Sequence, residues 1–384
     1  MQNTTTLPNG TQVISQHIPG IQSVALGIWL QHGSRHEAPH QAGYTHLLEH
    51  LLFKGTKQHS ATELATHFAA MGGQINAQTG RELTALYGLV TADKAGELLS
   101  LLLEVYLAPA FSEADVVHER QIVLQEMALG SDQEDAILAQ IWPSNAQPTL
   151  QNATAAMLHD YWRENVQTCR LWITAAGAVR HDDLLERCTE LSNFPKGQVP
   201  EQQSPQFVPV CHQIDNLSSQ VQLTWVFPAP PFASPLLPVY IIANHLLAGS
   251  TVSRLYQALR LDRPLVYGVQ GRLECYTDAG LWWIQTVVPV QHLTICRQRV
   301  ETVWQTLAAT GPTSAELACT LAHLQARVQL EADDSQATME RLAREAIYLG
   351  EIRTPASYLA QLESVGDIRE IMQVAWKNRA YFEG

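Results

Sequence analysis

The sequence predicts an α+β chain divided into two halves. Three observations carry that reading. Strand-like and helix-like segments mix without the strict βαβα alternation of a doubly wound sheet. The length, 384 residues, suits two domains on a scale of about 100–200 residues each. A segment rich in proline, residues 194–209 (FPKGQVPEQQSPQFVP), sits near the midpoint. Its four prolines, Pro195, Pro200, Pro205 and Pro209, suit neither a helix nor a central strand. The expected organisation is therefore a first domain over 1–193, a linker over 194–209 and a second domain over 210–384.

In the first half, Thr11–Ile18 and Ser23–Gln31 are β-branched and apolar, with a Pro19-Gly20 turn between them, and read as strands. Residues 41–54 form a helix through HLLEHLLF. The next helix, in SATELATHFAAMGG, has both ends specified: Ser60 and Glu63 make a capping box, and Gly72-Gly73 offers a left-handed stop. Glu82–Val90 reads as a strand and Asp93–Tyr106 as an amphipathic helix. Ser112 with Asp115 starts a further helix that runs to about Leu129. The second half repeats the order loosely. Val221–Phe227 is a strand, Leu236–Leu247 and Thr251–Leu261 are helices, Val266–Arg272 and Leu281–Val288 are strands, and helices follow around 291–308 and 313–332.

Composition excludes several classes. The apolar set is 46% and the charged set 16%, enough apolar material for real cores. Lys plus Arg number 24 against 37 acids, a formal charge of −13, which argues against nucleic-acid binding. No apolar run reaches the roughly 18–20 residues of a membrane span. MQNTTTLPNG lacks the basic and apolar regions of a signal peptide, so a cytoplasmic location is expected. The six cysteines are widely spaced, with no CxxC pair, and read as reduced thiols.

His46-Leu47-Leu48-Glu49-His50 is the informative stretch. On a helix, residues 46 and 50 stand one turn apart on one face, so both imidazoles can reach one metal ion. Glu49 lies to the other side of His46, close enough to touch a water on that metal without being a ligand. This H-x-x-E-H order reverses the commoner zincin motif. Catalytic zinc usually takes three protein ligands and keeps one position for water, so a third ligand is required elsewhere. The helix starting at Ser112 carries Glu119 and Glu126, two turns apart on one face among Val116, Ile122 and Val123. Burying two acids there is costly without a cation or histidine partner. Glu126 as ligand and Glu119 as acceptor for a ligating histidine would satisfy both; an ordinary solvated acidic face is the alternative.

These residues carry a resemblance. GSRHE…GYTHLLEHLLFKGT (Gly33–Glu37, Gly43–Thr56) resembles the active-site helix of the inverted-zincin metallopeptidases of the pitrilysin and mitochondrial-processing-peptidase family, peptidase family M16. Glu126 stands 76 positions after His50, the family's spacing for its glutamate ligand, and Glu119 matches the family's supporting glutamate. NAQTGRELT (Asn76–Thr84) is similar to the edge strand that pairs with substrate backbone, which places Asn76, Ala77 and Thr79 at the substrate. GSTVSRLYQALRLDRPLVYGV (Gly249–Val269) resembles the family's arginine–tyrosine segment, here Arg260 and Tyr267. The resemblance covers nearly the whole chain. Three departures stand out. SDQEDAILAQIWPSNAQPTLQNA after Glu126 is short and has no His-Pro-x-Gly loop. Gly80 stands where relatives often carry serine. ANHLLAG (Ala243–Gly249) occupies the corresponding helix of the second half and lacks the ligand set.

The resemblance implies two similar domains, each a mostly antiparallel sheet flanked by helices, forming one half of a clamshell. It implies a Zn2+-dependent peptidase with His46, His50 and Glu126 as ligands, Glu119 behind them, Glu49 as general base, and Arg260 and Tyr267 stabilising the oxyanion. Peptide substrates would be hydrolysed in a chamber formed by a homodimer, or by a heterodimer with a related subunit. A non-catalytic scaffold subunit is the alternative within the family.

Overall fold

The protein is described here from a computed structural model, which describes residues 2–130, 133–142, 150–166, 170–189, 191, 196–198, 204–213 and 219–384. Much of the expected linker, including Pro195 and Pro200, lies outside these residues, as does Cys169. The chain forms two compact units, each with its own sheet. Unit 1 comprises residues 1–131, 144–203 and 330–352; unit 2 comprises 132–143, 204–329 and 353–384. Neither unit is contiguous, so a single boundary at 194–209 does not describe the exchange of residues 132–143 and 330–352.

In unit 1, β1 (Gln2–Thr6), β2 (Gln12–His17), β3 (Ser23–Leu30), β4 (Gln74–Thr79), β5 (Thr84–Thr91) and β6 (Leu171–Gly177) form one sheet in the order β1-β2-β6-β3-β5-β4. All pairs are antiparallel except β2–β6. β3 is buried along nearly its whole length, because both faces of the sheet are covered. Val24, Leu26, Ile28 and Leu30 face the main core, while Ala25 and Trp29 face a second cluster. The helices of the unit are α1 (Tyr44–Leu52), α2 (Ala61–Ala70), α3 (Ala95–Leu107), α4 (Glu113–Gly130), α6 (Ala155–Tyr161), α7 (His181–Arg187) and α12 (Ser335–Leu349). Helix α12 closes the second face with Met339, Leu342, Ala343 and Ala346. A Cβ on Gly27 would stand 2.9 Å from Met339 Sδ, so the glycine lets this helix approach β3.

Unit 2 holds β7 (Cys211–Gln213), β8 (Gln220–Ala229), β9 (Val269–Cys275), β10 (Gly280–Pro289) and β11 (Ala380–Glu383), in the order β7-β11-β8-β10-β9. Its helices are α5 (Gln133–Ile141), α8 (Leu237–Ala248), α9 (Arg254–Tyr256), α10 (Leu293–Thr310), α11 (Ser314–Glu331), α13 (Pro355–Glu363) and α14 (Arg369–Lys377). Phe227, Trp282 and Trp304 centre its main core, and α5 covers the other face of the sheet with Ile137 and Ile141. The helix expected over Thr251–Leu261 is α9 continued by a π-helical turn, Gln257–Leu261. β9 begins three residues later than expected. Each unit is thus a mostly antiparallel sheet flanked by helices, the α+β architecture expected from the sequence.

Candidate metal centre

Helix α1 is anchored by Leu47, Leu48, Leu51 and Leu52, which are buried in the core of unit 1. That anchoring turns His46, Glu49 and His50, all half-buried, toward the opposite side. Helix α4 packs beside α1, with Val116 and Val123 in the same core. Across this contact the ligand atoms of His46, His50 and Glu126 all lie within 4.8 Å of one another. Glu126 Oε2 is 3.6 Å from His46 Nε2 and 3.4 Å from His50 Nε2. The two imidazoles meet edge to face, with centroids 5.1 Å apart. The pair of acids on α4 divides by environment. Glu119 is buried, whereas the side chain of Glu126 is 51% exposed.

Glu119 holds the other ring nitrogen of His50: Oε2 lies 3.1 Å from Nδ1. Its second oxygen, Oε1, lies 2.8 Å from Lys54 Nζ. Burial pushes the Glu119 carboxyl up, but Lys54 and His50 outweigh it and hold the group below its ordinary pKa. An anionic Glu119 is an acceptor for an Nδ1 proton of His50, the arrangement in which Nε2 would be available as a metal ligand. Two imidazole nitrogens and one carboxylate, with a carboxylate behind one imidazole, fit the donor set and ligand number of a zinc site with an open position.

The other expected site residues fall in two places. Asn76, Ala77 and Thr79 are on β4, which among the described residues pairs with β5 alone and forms an edge of the sheet. Asn76 Oδ1 accepts the Ala77 N–H at 2.9 Å. Arg260 and Tyr267 belong to unit 2. Arg260 lies over the Tyr267 ring, 5.2 Å from its centroid, and Tyr267 is 88% exposed.

Residues that sequence reasoning left without a role complete the surroundings. The β4–β5 turn is zipped to the loop after β3: Ser34 N–H donates to Gly80 O at 3.1 Å and Arg35 N–H to Arg81 O at 3.0 Å. Arg35 and Glu82, both nearly buried, form an ion pair at 2.5 Å across the same junction. A Cβ on Gly33 would stand 2.4 Å from Gly80 O, so only glycine permits this approach. No local pattern marks Arg35 and Glu82 as partners, since 47 positions separate them. Lys54 carries a weak signal, four positions after His50 and just beyond the end of α1.

Two histidines and a glutamate converge from neighbouring helices, in H-x-x-E-H order on the first, as a cluster that could hold a metal ion. The chain belongs to peptidase family M16. The family described as "Insulinase (Peptidase family M16)" matches residues 12–156, and "Peptidase M16 inactive domain" matches residues 152–322. Among similar proteins is an uncharacterized zinc protease of Bacillus subtilis, YmxG, 26% identical over 374 residues that cover 94% of this chain and 91% of that protein. An uncharacterized zinc protease of Mycobacterium tuberculosis is 29% identical over 396 residues, covering 97% and 89%. A crystal structure of a protease from Helicobacter pylori matches the fold with a TM-score of 0.88 at 16% identity, over 100% of this chain and 99% of that one. The peptidase M16 inactive domain structure from Pseudomonas fluorescens matches equally, covering 100% and 97%. No described helix is long and apolar enough to cross a membrane.

Proposed function

We propose that the protein is a zinc-dependent metalloendopeptidase that hydrolyses unfolded peptides or short proteins as a homodimer. The observation that carries this reading is the convergence of His46, His50 and Glu126 with Glu119 behind His50. Bound zinc supplies Lewis acidity, which brings the pKa of a water to about 7 and polarises a carbonyl oxygen. His46 Nε2, His50 Nε2 and a Glu126 oxygen would hold it. Glu49, one residue before His50, takes the proton from the attacking water on its carboxylate and later gives it to the leaving amine. The free edge of β4 takes substrate as an added strand, with main-chain bonds that confer affinity and little sequence selectivity. The family resemblance assigns Arg260 and Tyr267 to the developing oxyanion.

The test is metal analysis together with digestion of a peptide library. About one zinc per chain is expected, with hydrolysis in the wild type. Glu49→Gln should retain zinc and lose about 10²–10⁴-fold in kcat; full activity in that variant removes Glu49 as the base. A chain that binds no metal but holds a related subunit would support the scaffold reading instead. Tyr267→Phe should lower kcat by about 10²-fold with little change in zinc content, and an unchanged kcat would withdraw its assignment.

A further inference from the structure

Helix α1 begins without a cap of its own. Its first flanking residue is Gly43, at φ +92°, which has no side chain to accept a hydrogen bond. The N–H groups at the start of a helix have no partner within it and need acceptors from outside. Glu37 supplies them from six positions upstream. Its Oε2 accepts the Gly43 N–H at 2.8 Å and its Oε1 accepts the Thr45 N–H at 2.7 Å. The Thr45 hydroxyl is hydrogen-bonded to Tyr161 OH at 2.8 Å, and that phenol to His32 Nε2 at 2.7 Å. Tyr161 and His32 are buried, and the Tyr161 ring also meets Tyr44 edge to face at 5.5 Å. Residues 43–45 are therefore gripped by side chains from outside the helix, and the next residue is His46.

The helix is only nine residues long, too short to hold its shape without tertiary support. The two histidines are supported differently. His50 is steadied in the last turn through Glu119. His46 is in the first turn, where fraying begins, and its position follows the capped residues just before it. We propose that Glu37 is a positioning residue for the metal centre: its carboxylate fixes the first turn of α1 so that His46 is pre-set against His50 and Glu126. The proposal rests on reading the triad as a zinc site. Only a carboxylate offers two acceptors here. Glutamine at position 37 would present one acceptor and set its amide N–H against a backbone N–H, and aspartate would keep the charge with a shorter reach.

The experiment measures zinc affinity by chelator competition, the visible spectrum of the cobalt-loaded protein, and the melting midpoint of the metal-free protein. It compares wild type with Glu37→Gln, Glu37→Asp and His46→Ala. Glu37→Gln should weaken zinc binding by about 10- to 100-fold and alter the cobalt spectrum, while the metal-free protein stays folded at the assay temperature. Glu37→Asp should fall between it and the wild type. Wild-type affinity and spectrum in a folded Glu37→Gln variant would overturn the proposal, as would a loss of affinity matched by an equal loss of folded metal-free protein. Should Glu37→Gln fail to fold, wild-type affinity in a folded Glu37→Asp variant overturns it equally. If wild type and His46→Ala both bind no zinc, the zinc reading itself fails, and that result is distinct from the others.

Discussion

With β1 set aside, the two sheets run through the same strand order. β2-β6-β3-β5-β4 in unit 1 corresponds to β7-β11-β8-β10-β9 in unit 2, and each has a single parallel pair, β2–β6 and β7–β11. Helix α1 follows β3 as α8 follows β8. The helices even share a stretch: His46-Leu47-Leu48 on α1 and His245-Leu246-Leu247 on α8, with both leucine pairs buried. They then diverge, for Ala248 and Gly249 follow where α1 has Glu49 and His50. The helix that carries Glu119 and Glu126 diverges too. Ser112 caps Asp115 N–H on α4, and Thr313 caps Glu316 N–H on α11. Counting from these caps, Thr320 and Arg327 fall where Glu119 and Glu126 stand. His245 is held to a pKa of about 4, by burial first and then by the charges of His323 and Arg327. One backbone plan thus carries a His-His-Glu cluster in one copy and, in the other, a buried histidine beside His323 and Arg327. The chemistry resides in a few side chains and not in the fold.

The strongest way to test this contrast is to write the second helix into the first. His50→Gly places in α1 the residue that α8 has at the matching position. Zinc content should fall from about one per chain to none, since two donors no longer make the usual three, and hydrolysis should fall with it; retained zinc would mean that the ligand set is wrong. The reverse exchange, Ala248→Glu with Gly249→His, should not create a zinc site. A Cβ at 249 would stand 2.3 Å from His245 Nδ1, and Arg327 replaces the third ligand. The expected result is no zinc gained and a loss of about 1–3 kcal/mol from overpacking, read from the denaturant midpoint. Bound zinc in that variant would show that the rest of unit 2 is competent to hold it.

A further effect distinguishes the units by pH. Burial, with a further contribution from His36, lowers the His32 pKa from 6.5 to about 3. The unfolded chain binds a proton at this histidine below pH 6.5, and the folded chain does so only near pH 3. Stability contributed by neutral His32 is therefore present above pH 6.5 and is lost as pH falls toward 3, at up to about 1.4 kcal/mol per pH unit. His245 contributes a similar loss in unit 2 over a narrower range, from pH 6.5 to about 4. His32→Gln should flatten the acid limb of the stability curve while lowering stability near pH 7.5 by about 1 kcal/mol through the lost Tyr161 bond. An unchanged acid limb would locate the lability elsewhere.

Much of the candidate site is legible in the sequence because its signals are local. The spacing of His46, Glu49 and His50 follows from helical geometry, and Glu119 and Glu126 share a face for the same reason. The capping box at Ser60 and Glu63 forms as its spacing implies. The sequence pattern marks no element after residue 332 and gives no clear strand signal for β1 or β6. β6 is apolar on both sides, so it lacks the alternation that marks a half-buried strand. Glu37 had no readable role because its partners are backbone N–H groups six and eight positions away, beyond any helical or strand period.

The sequence alone determined the α+β class, the α1 histidine pair, its missing counterpart on α8 and the membership these imply, all carried by residues near one another in the chain. Only the tertiary structure decided what depends on contacts between distant segments. It brings Glu126 to within 3.4 Å of His50 and sets Glu119 against its ring. It places Glu37 at the start of α1. It also sends α5 to the sheet of unit 2 and α12 to that of unit 1, because each sheet has two apolar faces to cover and no local pattern records which helix covers them.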